Sequence, residues 1–525
     1  MARALLIKTP KCGARAESVA VNLEPLGLMY IAAFVRAYSA HWVGLIDAQA
    51  EAARVEQIAP DCFRMGMPEE LLRSRIRAAA PRVVGISALF EMQEREVVAT
   101  ARLVKAIAPD IVVVIGGLDA GVRYREYLRC GAVDLVVRGD GEETFLDILD
   151  RVERGDSLTG IPGTCESAGV DECRVNRARV RRVPFDAYPF PDRESLPREL
   201  YANASTQRTA FPFAREAPAI LLQGSRGCRL RCAFCDIVAV QDQWNAHSPE
   251  YIVREIAHCV ERYGAREIVF VDDNFMLDKR WAARVFELVA ERGLRVSVDI
   301  MAGIAVWTLS EAMIETMIRA GVYRVCLPIE SGNPSTLAFI KKPVNLDKAF
   351  EMIDYCNRRG LYTFANLIVG FPFENEADIQ RTIAWGDASG LDAIHYFIAT
   401  PLPGARMYPI YEENGWLTRS DAGGVSWRTA HFTRAQLEAF AVRASRAYVW
   451  RRLRFYAHPI RAARYLVPKL ASLRKLRYAL KLARHMVPAG WTKGARGMPA
   501  ATSRDDAVVL SPIAQRRGGA EVLEG

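Results

Sequence analysis

The chain has 525 residues, half of them hydrophobic and a quarter charged, which is the composition of a globular protein of about three domains. No apolar run approaches the ~20 residues a membrane-spanning helix needs. The opening MARALLIKTP is too short and too soon polar for a signal peptide, so a cytoplasmic location is expected. The net charge of +9 is local: sixteen Lys and Arg and no acid lie between Ala439 and Arg504, so the rest of the chain carries −7.

The first ~155 residues alternate apolar runs with helical patterns. ALLIKTP from Ala4, WVGLIDA from Trp42, VVGISA from Val83, IVVVIGG from Ile111 and LVVRGDGE from Leu135 read as buried parallel strands. LGLMYIAAFVRAYS and EVVATARLVKAIA read as the helices between them. That alternation predicts a doubly wound α/β sheet over 1–155, which binds ligands beyond the carboxyl ends of its strands. Residues 156–215 lack sustained periodicity and are proline-rich, so a linker draped over a neighbour is expected.

A second alternation starts at Ala219 with AILLQGS and continues through EIVFVDD, RVSVDIM, YRVCLPIES, TFANLIVGF and AIHYFIAT. Intervening helices such as PEYIVREIAHCVERYG, LSEAMIETMIRAG and LDKAFEMIDYCNRRG each end at a glycine, as helix C-termini do. Six βα units predict a partial (β/α)6 barrel over 216–420, with its chemistry at the carboxyl ends of the strands. Residues 421–487 read as a basic helical subdomain and 488–525 as a disordered tail.

Eleven cysteines in so long a chain are not a disulfide scaffold, and eight of them are scattered. The exception is CRLRCAFC, where Cys228, Cys232 and Cys235 stand just after the first barrel strand. A zinc site needs a fourth ligand, and Asp236 is too close in sequence to be a natural one. Three thiolates instead suit three irons of a cubane cluster, leaving the fourth iron open for a substrate or cofactor.

CRLRCAFC at this place resembles the signature of the radical S-adenosylmethionine superfamily. The resemblance runs through about 216–420, including FVDDNF, IESG, NLIVGFPFE and ATPLPGA. It implies a [4Fe-4S] cluster on Cys228, Cys232 and Cys235, with S-adenosylmethionine chelating the open iron and yielding a 5′-deoxyadenosyl radical. It further implies Phe234 near the adenine, Asp272 or Asp273 at the amino group, Glu330 and Ser331 at the ribose or carboxylate, and Gly370 among the cofactor contacts. The usual Gly-Gly-Glu of the second strand is replaced by VDDN.

The N-terminal stretch resembles the cobalamin-binding domain that precedes one class of these enzymes, through PLGLMYIAAFVR, LIDA, VGIS, IGGLDA and VVRGDGEETFLDIL. By that resemblance Ser87, Gly116, Gly117, Gly139 and Gly141 contact cobalamin. The D-x-H-x-x-G histidine of many such domains is absent; TPKCGARAE stands there, and His41 is the only histidine in the first 155 residues. Either cobalt lacks a lower histidine, which is the favoured reading, or the domain no longer binds cobalamin. Cys12 in that loop is read as incidental.

Together the resemblances imply a cobalamin-dependent radical methyltransferase acting on a small molecule, with methylcobalamin delivering the methyl group. An external electron donor of flavodoxin or ferredoxin type is expected. Ring closure, rearrangement or oxidation with the same cofactors is the alternative. A rival of another class is a binding protein using the basic segment 439–487, whose interleaved aromatics suit a membrane surface or stacked bases. Peripheral membrane contact is the favoured form of that rival, and nucleic acid is not expected. A helical cover for the barrel is the plainest reading of the segment.

Overall fold

The computed structural model describes residues 1–13, 23–59, 62–169, 171–202, 214–419 and 425–486. The tail read as disordered, and part of the loop after the first strand, lie outside them.

The first sheet contains β1 (Arg3–Lys8), β2 (Trp42–Asp47), β3 (Val83–Ser87), β4 (Val112–Gly116), β5 (Leu135–Val137), β6 (Thr164–Ser167) and β7 (Cys173–Val175). Its spatial order is β2-β1-β3-β4-β5-β6-β7, with the first five strands parallel. Successive residues feed separate cores on the two faces: Leu5, Ile7, Val84 and Ile86 on one, Ala4, Leu6, Val83 and Val114 on the other. Burial on both faces is why these strands read as unbroken apolar runs. The strand order reverses between β1 and β3, where a doubly wound sheet opens its ligand crevice.

The stretch expected to be a linker opens with β6 and β7, which pair antiparallel and extend this sheet. They are short and half-polar (TCES, CRV), so no periodicity announces them. Farther along, the same stretch packs Phe185 and Tyr188 against Phe34.

The barrel strands are β8 (Ala219–Leu222), β9 (Glu267–Phe270), β10 (Ser297–Ile300), β11 (Arg324–Glu330), β12 (Tyr362–Val369) and β13 (Ala393–Ile398). They run parallel in chain order as two three-stranded sheets joined by a bridge between Val298 and Val322. Ile220, Leu222, Ile268 and Phe270 face the surrounding helices. The opposite face of β8 and β9, through Ala219, Leu221 and Val269, meets Leu26 and Tyr30 of helix α1 (Leu26–Tyr38) from the first sheet domain. The Glu24 carboxylate accepts the Leu221 amide at 3.2 Å, so a side chain of the first domain holds a strand of the barrel.

Helix α2 (Glu142–Arg154) packs on the first sheet and helix α3 (Pro249–Tyr263) on the barrel, while helix α4 (Arg434–Ala457) and helix α5 (Leu473–Met486) close the barrel from outside and below. Tyr478 and Leu482 of α5 pack on Tyr323, Cys326, Tyr362 and Phe364 at the amino-terminal end of β11 and β12. The basic charge of this region is spent on the acidic barrel. Arg451 pairs with Asp387 at 2.8 Å, Arg464 with Asp354 at 3.2 Å and Arg474 with Glu216. Buried Lys469 reaches Asp392 and donates to Asn357 Oδ1 at 2.6 Å. Five of the sixteen basic side chains between Ala439 and Arg504, these four and Arg452, are therefore paired with acids of the barrel. Among the described residues, no helix is long and apolar enough to cross a membrane.

Candidate active site

The cysteine loop leaves β8 through Gly227, whose φ of +78° and close approach to the Gln243 carbonyl (a Cβ would lie 2.1 Å away) admit only glycine. The loop is then pinned by its backbone. The Cys228 amide donates to Gln241 O at 3.3 Å and the Ala233 amide to Ile340 O at 3.0 Å, while Ala233 O accepts from Met407 N at 2.8 Å. Cys228 and Cys232 are buried and Cys235 half-buried, and all three are free thiols. Asn274 Nδ2 lies 3.6 Å from Cys228 Sγ.

Burial pushes the Cys232 thiol up, and pushes Cys235 to about 12, with the neighbouring thiols adding to both. Thiolates packed this way need a cation to hold their charge. Among the described residues, no three His, Cys, Asp or Glu side chains converge as one metal ion requires. Three pinned thiols that raise one another's pKa in this way fit three irons of a polynuclear cluster.

Around the loop stand the strand ends singled out by resemblance. Asp272 follows β9 and is buried; it accepts from Gly224 N at 3.1 Å, Ser225 N at 2.5 Å and Ser225 Oγ at 2.6 Å. Burial raises its carboxyl to about 7 against those hydrogen bonds. Asp273 accepts from Gly227 N at 2.7 Å and is also raised by burial. Both acids thus hold the segment that enters the cysteine loop. Glu330 adopts φ +66° beside a bulge that ends β11, and its carboxylate receives Lys342 Nζ at 2.5 Å. Lys342 also lies 6.0 Å from the centre of the Phe234 ring and holds down the pKa of the Cys232 thiol. Glu330, Lys342, Phe234 and the cysteines therefore meet at one place.

Ser331 shares a 2.9 Å hydrogen bond with Thr382 and accepts the Asn333 amide at 3.0 Å. The Gly370 amide donates to Glu374 at 2.8 Å, and a Cβ there would lie 2.4 Å from Leu437 of α4. The polar atoms of these two residues serve the fold around the site. Lys342 and Asn274 escaped the sequence reading. Asn274 stands in the quoted VDDN, where a donor beside two acids was the available signal; Lys342 sits in a loop with no pattern to mark it.

On the first domain, Ser87, Gly116 and Gly117 follow one another around the carboxyl ends of β3 and β4, and Gly139 and Gly141 follow β5. A Cβ on Gly117 would meet Ala88 O at 2.3 Å, whereas one on Gly139 would meet nothing within 4 Å. Leu89, Phe90 and Met92, just beyond β3, are 47–62% exposed. Large apolar side chains beside an open glycine edge fit a broad, flat ligand such as a corrin. His41 is at the other end of the sheet, held between Ala2 N (3.1 Å) and Asp150 (2.9 Å). Cys12 is 3.3 Å from Glu96, and burial drives its thiol upward, away from an available thiolate.

The B12 binding domain family matches residues 14–149, and the Radical SAM superfamily matches residues 222–386. An uncharacterized methyltransferase of Pyrococcus horikoshii is 30% identical over 407 residues, which are 77% of this chain and 82% of that protein. The chain belongs to the cobalamin-binding radical S-adenosylmethionine methyltransferase family. Cytidylyl-2-hydroxyethylphosphonate methyltransferase of Streptomyces wedmorensis is 26% identical over 414 residues, 73% of this chain and 77% of that one. The structure of the radical S-adenosylmethionine methyltransferase TsrM of Kitasatospora setae, with cobalamin and a [4Fe-4S] cluster bound, matches with a TM-score of 0.62 at 15% identity. It covers 81% of this chain and 77% of TsrM, and shows the same fold. The family's cofactors are the [4Fe-4S] cluster, S-adenosylmethionine and cobalamin.

Proposed function

We propose that this enzyme transfers a methyl group to an unactivated carbon of a small molecule held between the barrel mouth and the first domain. The observation that carries this reading is the direct contact of the two cofactor-bearing edges: Gln241, at the end of the cysteine loop, donates to Asp140 in the glycine turn after β5 at 3.2 Å. When bound, the reduced cluster and S-adenosylmethionine supply hydrogen abstraction, and methylcobalamin supplies the methyl group.

The chain's own residues bind and orient. Cys228, Cys232 and Cys235 hold the cluster. Phe234 and Glu330 flank S-adenosylmethionine, with Lys342 neutralising Glu330 and offsetting negative charge beside Cys232. Asp272 and Asp273 fix the entry to the loop, and Ser331 and Gly370 shape the neighbouring strand ends. Ser87, Gly116, Gly117, Gly139 and Gly141 give the corrinoid its backbone edge. Helix α4 covers the barrel from outside and α5 closes its amino-terminal end, keeping water from the side opposite the mouth. We place the functional units at 1–155, 216–420 and 421–487, the stretch between the first two packing on both. Eleven free cysteines suit a reducing cytoplasm, where a flavodoxin- or ferredoxin-type donor would serve.

The test is anaerobic purification, reconstitution and metal analysis, followed by product analysis. About four irons per chain and stoichiometric cobalt are expected, with the irons lost in Cys228→Ala, Cys232→Ala and Cys235→Ala. Turnover should add one methylene mass to the product, with S-adenosylhomocysteine beside 5′-deoxyadenosine. 5′-Deoxyadenosine alone would refute methylation, and zinc in place of iron would refute the site.

A further inference from the structure

Arg226 lies two residues before the first cluster cysteine, where an arginine could simply solvate the loop. It is instead buried. Its guanidinium donates to Glu142 Oε1 at 2.7 Å and pairs with Asp140 Oδ1 at 3.2 Å. The rings of Tyr30 and Phe185 lie 5.0 and 5.2 Å from its central carbon. Both acids come from the first domain, in the turn between β5 and helix α2 (Glu142–Arg154). Gly139 and Gly141 belong to that same turn.

The far end of the cysteine loop returns to this turn. Gln241 donates to Asp140, and Arg138 donates to Ala239 O. Residues 226 and 239–241, on either side of the three cysteines, are thus tied to the single turn 138–142 of the other domain. Beside it, Gly404 at the barrel mouth admits no side chain, because a Cβ would lie 2.9 Å from Val122.

Desolvating three charges across a domain boundary is an expensive way to gain adhesion, and apolar contact would do it better. What charge-assisted hydrogen bonds give in return is a fixed geometry. The parts so fixed are the two that must be in register for both cofactors to meet one substrate.

We propose that Arg226 is a positioning residue that couples the two cofactor sites. Seating a corrinoid against the turn 138–142 and assembling the cluster on Cys228, Cys232 and Cys235 favour the same arrangement of loop and turn. Each cofactor therefore raises the protein's affinity for the other, by the same factor in both directions. This inference rests on the cofactor reading above.

The experiment uses the full chain under anaerobic conditions. Hydroxocobalamin affinity is measured by equilibrium dialysis with and without the reconstituted cluster, and iron release to a chelator is timed with and without cobalamin. The wild type should bind cobalamin roughly fivefold or more tightly when the cluster is present, and cobalamin should slow iron release. Arg226→Gln and Glu142→Gln should each bring the affinity ratio toward one while both cofactors still bind separately. The double variant should lose no more than either single one. Arg226→Lys, which keeps the charge, should restore part of the ratio. A merely structural arginine would lower both affinities and leave their ratio alone, and that result overturns the proposal. If Arg226→Gln does not fold, Gln241→Ala tests the other end of the loop: a reduced ratio supports coupling and an unchanged ratio overturns it. A wild type that binds iron and cobalamin independently overturns the coupling but leaves the cofactor reading standing. A wild type that binds no cobalamin overturns both.

Discussion

Replacing Asp272 tests whether this acid builds the cluster site or touches the ligand. Its carboxylate accepts three hydrogen bonds, from the amides of Gly224 and Ser225 and from the Ser225 hydroxyl, in a fully buried position. Asp272→Ala leaves the two amides facing a void, at about 1–3 kcal/mol for each unsatisfied buried donor. The hydroxyl can turn elsewhere, so the amides dominate and the loss is about 2–6 kcal/mol. That is a large share of the ~5–15 kcal/mol of a typical domain. Asp272→Asn keeps one accepting oxygen but turns an NH2 toward an amide, so an intermediate loss is expected. The assays are urea unfolding of the metal-free protein, iron content after reconstitution, and S-adenosylmethionine binding to whatever cluster-loaded protein remains. Stability and iron should fall together, in the order wild type, Asn, Ala. Wild-type stability and iron combined with weakened S-adenosylmethionine binding would refute the reasoning and assign the carboxylate to the ligand.

Glu267 is buried beneath the barrel, accepting from Tyr323 Oη at 2.8 Å and Glu216 N at 2.7 Å, and burial raises its carboxyl from 4.5 to about 7. Because the folded state keeps this proton longer than the unfolded chain, stability is fully present below about pH 4.5 and falls as pH rises toward about 7. The loss is on the order of 3 kcal/mol. Glu267→Gln should flatten that slope in denaturation series across this range, and parallel curves would count against it. Tyr478, wedged 5.0 Å from the rings of both Tyr323 and Tyr362, should cost about 3–5 kcal/mol when cut to alanine. Limited proteolysis should then cleave within 459–486 first; wild-type resistance would show that α5 does not depend on this wedge.

Some of this protein was legible in the sequence because its cause is local. Three cysteines within eight residues carry their spacing with them wherever the chain goes, and strands buried on both faces must be apolar throughout. The eleven principal strands therefore stood out, and so did the glycines that no side chain could replace, such as Gly117. Other features depend on partners far along the chain. Arg226 could not be assigned from RGCRLRC, because Asp140 and Glu142 are more than eighty residues away and nothing local distinguishes a clamp from a solvated arginine. The basic C-terminal segment read most plainly as a helical cover for the barrel, but its charge partners are invisible in a count. Only folding brings Arg451, Arg464, Lys469 and Arg474 onto Asp387, Asp354, Asp392 and Glu216. Asp272 read as a ligand contact by resemblance or as a solvated strand-end acid, and only the fold shows the buried amides that its oxygens face. Spacing along the chain decides what a short motif can hold; charge pairing and positioning across domains arise only when distant segments exclude water together.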